Sequence, residues 1–289
     1  MRTIFICITV LALLSISQAK DEVQIADLLK QHLNSVGTEQ ARTVVKTRVA
    51  EGTVHFQVLN QGTGQQDGKE ALVSTGNKIV SMFRLPNPSY HGERFISDGN
   101  KTGVAMVIPG TYSEFGQFIR VHDEILRDGL WGGVLSTGWA LENLESTHAK
   151  LQYKGTRKVD GRDLHRVLYL PSRHSDLEIE LYFDPETFRH VMTSYAYTIN
   201  PQIAHSDIEN ARQQTSHYRL EERFSDFKAV DNLTLPGRWT IQFTPDVPAG
   251  SEVGHPLAGV ALNATSQFAV TVINITHNQP LDPRNFEIK

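Results

Sequence analysis

The sequence holds a single cysteine, Cys7, among 289 residues, so no intrachain disulfide can form and no cysteine-rich metal site can be assembled. Charge is also sparse: 21% of residues are charged and the formal net charge is −4. The charges are spread without long runs, which excludes the basic footprint of a nucleic-acid binder and gives no attraction to anionic membranes. Gly-x-Ser-x-Gly, a P-loop and His-Glu-x-x-His are all missing, and with them the usual signatures of an activated serine, a phosphate cradle and a zinc helix. No Pro/Ser-rich or Gly/Ser-rich stretch divides the chain. The one long apolar run, Ile4 to Leu14, follows Arg2 and precedes Ser17-Gln18-Ala19. That is the order of a secretory signal peptide, and it is too short for a membrane span. Residues 1–19 are therefore expected to be a cleaved export signal, with 20–289 a single domain that is soluble after cleavage.

What is present is mostly strand. From Leu177 to Phe183 the alternation is strict, with Leu177, Ile179, Leu181 and Phe183 on one side and Glu178, Glu180 and Tyr182 on the other, the mark of a half-buried strand. The Asp184-Pro185-Glu186-Thr187 turn leads to a β-rich run from Phe188 to Ile199. Leu151 to Lys154 and Leu164 to Leu170 read as two strands before it, so residues 149–199 predict an antiparallel meander. Upstream, Asp21 to Val36 has helical spacing, with acids in its first turn and Gly37 after its last. Short strands follow over Thr43 to Val49, Thr53 to Leu59, Lys69 to Thr75, Lys78 to Arg84, Gly92 to Ser97 and Thr102 to Ile108. Downstream, Asn200 to Ser216 reads as a polar excursion with a helix around Ser206 to Gln213. Strands resume at Tyr218 to Phe227, Gly237 to Thr244 and Ala269 to Ile275, and Pro245 to Pro256 reads as a loop. The pattern predicts an α+β, mainly β fold of roughly ten to twelve strands, in which a large curved antiparallel sheet forms an incomplete barrel closed by a few helices.

Between the two meanders lies Tyr112 to Trp139. Ser113 is placed to cap a helix carrying Phe115, Phe118 and Ile119, and Ile125 and Leu126 precede Gly129. The segment Leu130-Trp131-Gly132-Gly133-Val134-Leu135 is apolar and glycine-bearing at once. Two readings fit it: a buried connection between two halves of a sheet, or a movable apolar lid.

The chemistry-bearing residues form no active-site constellation. None of the twelve histidines makes a His-x-His or His-Glu-x-x-His pair, and adjacent helix positions send His122, Asp123 and Glu124 in different directions. Glu178 and Glu180 share a strand face about 7 Å apart, which reads as a charged sheet exterior. His165, His174 and His190, on neighbouring strands or turns, make a zinc site the surviving metal alternative. The residues predict no enzyme, no metal and no cofactor.

The order of these elements resembles the lipoprotein-localisation fold of the LolA/LolB/RseB family. The resemblance runs from Asp21 to Ile288. It is carried by the helix ending Ser35-Val36-Gly37, by Phe95-Ile96-Ser97-Asp98-Gly99 and by the Tyr182-Phe183-Asp184-Pro185-Glu186-Thr187 turn. The Phe224-Ser225-Asp226-Phe227 to Leu235-Pro236 step and the closing Asn278 to Phe286 carry the rest. It implies a periplasmic protein whose half-barrel holds acyl chains of lipids or lipoproteins in an apolar hollow, with carriage of lipoproteins to the outer membrane as its role. The alternative it implies is a non-catalytic envelope sensor or interaction module that recognises proteins through the same hollow. The ligand-contacting residues on this reading are Phe115, Phe118, Leu126, Leu130, Trp131 and Leu135 from the lid, with Ile179, Leu181 and Phe183 from the inward strand face. One feature departs from the carriers, which hold an Arg just before a Pro, tied to lid closing. Here the corresponding stretch is Ser74-Thr75-Gly76-Asn77-Lys78, with neither.

Overall fold

The computed structural model describes residues 24–59, 64–86, 90–109, 112–200, 215–248 and 264–288. A helix α1 (24–36) and a short α2 (Glu39–Thr43) precede the first meander, β1 (Thr47–Val58), β2 (Gln66–Thr75), β3 (Lys78–Arg84), β4 (Glu93–Ser97) and β5 (Thr102–Met106). A connecting strap carries α3 (Glu114–Val121), α4 (Glu124–Arg127), a 3-10 turn at Gly133–Leu135 and α5 (Leu144–Thr147). The second meander runs β6 (Lys150–Val159), β7 (Arg162–Leu170), β8 (Glu178–Phe183), β9 (His190–Ile199), β10 (Ser216–Val230), β11 (Leu233–Asp246) and β12 (Ser266–His277), and a 3-10 turn at Pro283–Phe286 follows.

Among the described residues twelve strands join one sheet in the order β5-β4-β3-β2-β1-β12-β11-β10-β9-β8-β7-β6, and each of their pairings is antiparallel. The two edge strands, β5 and β6, do not pair, so the curved sheet stays open. They are also consecutive in sequence, so the strap must travel from one edge of the sheet to the other. It does so across the inner face and buries nearly all of residues 115–119 and 129–141 on the way.

Local chemistry explains the hairpins. Asp160 and Gly161 both take positive φ, 49° and 82°, as do Asp231 and Asn232 at 48° and 65°; that is the primed turn whose twist matches flanking strands. Pro236 sits inside β11 opposite Phe227 of β10, while β12 begins to pair with β11 only at Arg238. The missing N–H therefore costs the ladder nothing. Thr43 to Val49 and Thr53 to Leu59, expected as separate strands, are one strand β1 with a register shift at Glu51/Gly52 and α2 ahead of it. A Cβ on Gly52 would stand 2.2 Å from the Thr271 carbonyl oxygen, so glycine is what lets the backbones approach there.

The inner face and the strap share one hydrophobic core. The outer face has two smaller clusters, Val80, Ile96 and Phe286 on one side and Leu164, Tyr182 and Met192 on the other. The expected clean split of β8 into an apolar and a solvated face therefore fails: its residues from Ile179 to Phe183 are all buried. Tyr182 packs into the outer cluster, and Arg157 and Arg166 fold over Glu180. Among the described residues no helix is long and apolar enough to cross a membrane. The export signal over 1–19, nearly all of the excursion after Asn200 and most of the Pro245 to Pro256 loop lie outside the described residues.

Candidate functional site

The inner face of the sheet beneath the strap is the candidate site, and its apolar part is built from rings. Phe95 of β4 lies 5.4 Å from Trp131 of the strap, and Trp131 meets Trp239 of β11 edge-on at 5.1 Å. Phe115 of α3 lies 5.3 Å from Phe268 of β12, and Phe118 lies 5.2 Å from Phe243 of β11. Such offset and edge contacts add about 0.5 to 1.5 kcal/mol per pair beyond burial.

All nine predicted ligand-contacting residues come together here. Phe115 and Phe118 lie on α3, Leu126 on α4, Leu130, Trp131 and Leu135 along the strap, and Ile179, Leu181 and Phe183 on the inward side of β8. Each is at most 2% exposed and belongs to the same core cluster. The strap's own side chains fill the space that the resemblance assigns to acyl chains. The segment from Leu130 to Leu135 has the geometry of the buried connection between two sheet halves.

Polar bonds hold that connection in place, and several are made by buried ionisable groups. On β10, Glu222 is fully buried and accepts from the Gly132 N–H at 2.8 Å, the Tyr195 hydroxyl at 2.8 Å and the Trp239 indole at 2.9 Å. Among the described residues no cation faces it, and burial pushes its carboxyl up to about 7 despite the three donors. On β4, Glu93 accepts from the backbone N–H and hydroxyl of Ser113 and from the Tyr90 hydroxyl. It thereby ties down the start of α3, whose cap is the same Ser113 hydroxyl. Burial raises Glu93 as well.

On α1, His32 is fully buried, with Nδ1 3.1 Å from the Phe188 carbonyl and Nε2 accepting from the Trp139 indole at 3.0 Å. A carbonyl on one nitrogen and an N–H donor on the other fix the neutral Nδ1–H tautomer. Burial lowers its pKa to about 4, and a second proton would have to displace the strap's indole. His190 stacks on the same Trp139 at 4.7 Å and is held well below the usual histidine value by burial. Ser74 of β2 accepts from the Thr137 N–H, and Asp128 of the strap accepts from the Tyr169 hydroxyl of β7.

One strand away from Ser74 to Lys78, a buried arginine reaches the strap. Arg48 of β1 is 5% exposed and donates from Nη1 to the strap's Val134 carbonyl and from Nε to His277 Nε2. His277 in turn contacts Asp231 through Nδ1. Burial lowers the Arg48 guanidinium to about 10.

The glycines of the strap are not free hinges. Gly132 and Gly133 have φ of 74° and 51°. A Cβ on Gly132 would stand 2.6 Å from Leu72 Cδ1, and one on Gly133 3.0 Å from both His190 and Phe224. Alanine at either position would strain the backbone and crowd the core, so it acts on the fold as well as on the unfolded chain.

Glu222, Glu93, Arg48, His32 and Trp139 escaped the sequence reading. The signal for Glu222 is its register: it stands in the inward row Tyr218, Leu220, Glu222, Phe224. The three candidate metal-binding histidines separate, with His165 stacked on Phe188, His190 behind Trp139 and His174 exposed beside Asp176. Among the described residues no group of three or more metal-ligating side chains is gathered. Three surface pockets are lined by other residues: one at Arg48, one along Thr198, His217 and Gln242, and one along Lys154, Leu168 and Glu178.

No protein-family model matches the chain, and neither does any curated protein. Among solved structures it is similar to a LolA superfamily protein from Nitrosomonas europaea, with 11% identity over 91% of this chain and 97% of that one and a TM-score of 0.47. A DUF1329 family protein from Desulfovibrio piger is similar at 11% identity over 91% and 96%, TM-score 0.46. A putative outer membrane lipoprotein-sorting protein domain from Vibrio parahaemolyticus is similar at 12% identity over 89% and 97%, TM-score 0.42.

Proposed function

We propose that the chain is an exported, non-catalytic lipid-binding protein of the cell envelope, cleaved after Ala19, whose single domain takes an acyl chain on the inner face of the sheet. The observation that carries this reading is what covers that face. An open sheet with an apolar inner surface is closed by a strap of aromatic and aliphatic side chains, with α1 packing Leu28 and Val36 into the same core, and the described residues place no second sheet over it. Side chains of this kind are exchangeable for methylenes at little net change in burial. A chain of about 15 methylenes gains on the order of 12 kcal/mol against water at roughly 0.8 kcal/mol each, and a bilayer already supplies the same. Transfer between membrane and protein is thus close to balanced, and the few polar bonds that seat the strap decide its direction. The ligand contacts are Phe115, Phe118, Leu126, Leu130, Trp131, Leu135, Ile179, Leu181 and Phe183, and carrying lipoproteins to the outer membrane is the finer form of the same role.

The test is uptake of a fluorescent fatty acid or phospholipid by the folded chain. Saturable uptake that weakens when Trp131 becomes Ala supports the reading. The filled inner face favours a second reading, an envelope sensor or interaction module whose partner is a protein. A folded wild type that takes up no acyl probe overturns the first reading in favour of this one.

A further inference from the structure

At the margin of the strap, where α2 and β1 meet it, the side chains of Arg42, Arg48, Ser136, Thr137, Trp139 and Glu142 line a small pocket of about 20 Å³. That is room for one water or one ligand oxygen. Its charges do not balance. Arg42 is matched by Glu142 at 3.1 Å, and Arg48, 5% exposed, feels the charge of the same carboxylate without an oxygen of it within 4.0 Å, so two guanidiniums share one carboxylate in this pocket. A buried guanidinium is normally paired, because desolvating an unmatched charge is costly.

Arg48 also keeps donors in reserve. Of its five N–H groups, one goes to His277 and one to the Val134 carbonyl, both neutral acceptors. Nη2 has no partner among the described residues. Beside it, the Ser136 oxygen accepts from the Gly138 N–H, and its own hydroxyl proton has no acceptor among the described residues. Thr137 spends its hydroxyl on the Gly76 carbonyl. The pocket therefore offers unspent donors and one positive charge in excess, two guanidiniums against the Glu142 carboxylate, in a volume that fits a single oxygen.

We propose that this pocket is an oxyanion site, in which Arg48 and Ser136 hold one oxygen of a phosphate or carboxylate group while the rest of the group stays in the mouth. Planar guanidinium forks suit such groups better than a point charge does. The acyl-binding reading, on which this step rests, makes the oxyanion the head of the lipid. The same guanidinium that would grip the head also grips Val134 of the strap, so head and strap share one side chain.

Titration calorimetry of the folded chain with inorganic phosphate, octyl phosphate and the neutral monooctanoyl glycerol tests this. Saturable binding of both phosphates is expected, with octyl phosphate at least tenfold tighter. Arg48→Gln should weaken both phosphates at least tenfold more than it changes the neutral probe, whose affinity reports the freed strap alone, and Ser136→Ala should weaken them about threefold. Absence of saturable phosphate binding to folded wild type, or equal affinity in Arg48→Gln, overturns the site, even where the neutral probe binds and the acyl reading survives. Phosphate binding without any binding of the neutral probe keeps the site and removes the acyl reading. Octyl phosphate no tighter than phosphate also keeps the site and makes a free anion its ligand. Should Arg48→Gln fail to fold, unchanged phosphate affinity in Ser136→Ala overturns the proposal.

Discussion

Two buried glutamates on the same sheet are satisfied in opposite ways. Glu180 on the outer face accepts from Tyr182 and is flanked by Arg157 and Arg166 at 3.3 and 3.2 Å, and the Arg157 side chain is about half exposed. Glu222 on the inner face has three neutral donors, one of them the strap's own backbone, and is fully buried. If Glu180 is removed, the arginines turn to solvent. The donors around Glu222 have nowhere to turn. The outer site is a charge cluster that water backs up, whereas the inner one is a fixed joint whose members depend on each other.

The largest break in this comparison is Glu222→Ala, which orphans three buried donors and should cost about 3 to 5 kcal/mol in urea unfolding. A loss no greater than that of Glu180→Ala would erase the distinction. Next comes pH. Folded His32 holds off a proton down to about 4 against an ordinary 6.5, so its contribution is lost as pH falls through that window. Folded Glu222 keeps its proton up to about 7 against an ordinary 4.5, so its contribution is lost as pH rises. Each is worth about 3 kcal/mol, and the two slopes oppose one another between about 4.5 and 6.5. In Glu222→Gln, stability should rise with pH across that window; in His32→Asn it should fall. Parallel profiles in both variants would refute the assignment.

Gly132→Ala should cost about 2 kcal/mol, from a left-handed φ and the contact with Leu72, measured by thermal unfolding. A stabilised protein would mean that the strap is looser than its geometry. Trp139→Phe keeps a ring beside His190 but removes the indole N–H, and should cost about 1 kcal/mol. The smallest effect belongs to the outer face: Glu180→Ala should cost about 1 kcal/mol or less and should shrink further in high salt, since half-exposed pairs are screened. A salt-independent loss would place Glu180 with Glu222.

The sheet was legible because period-2 alternation is local: β8, and Trp239, Ile241 and Phe243 of β11, announce their inward rows directly. The strap's first helical part was legible too, from Ser113 ahead of α3 and Gly129 just after α4. The strand order in space was not. Arg48 pairs with His277, and nothing local in either segment records a partner so remote in sequence. Glu222 was hidden by its neighbours, since Glu221, Glu222 and Arg223 are consecutive charges that read as one solvated run. The burial of Glu180 was hidden for another reason: alternation assigns a face but not what folds over it, and that cover comes from arginines on two other strands.

The placement of β1 beside β12 has a kinetic consequence. Strands β1 to β5 and β6 to β9 pair with neighbours close in sequence, and even the longer connections from β9 to β10 and from β11 to β12 are short beside the separation of β1 and β12, so each meander can assemble early from its own neighbours. The ladder in the middle of the finished sheet is the one with the largest sequence separation, and it must wait for a chance encounter of two preformed halves. Until then β1 and β12 are long, bare edges of the kind that pair with the wrong partner. Successful maturation is therefore a race between one intramolecular docking and every intermolecular one, and dilution or a holding chaperone favours the right outcome.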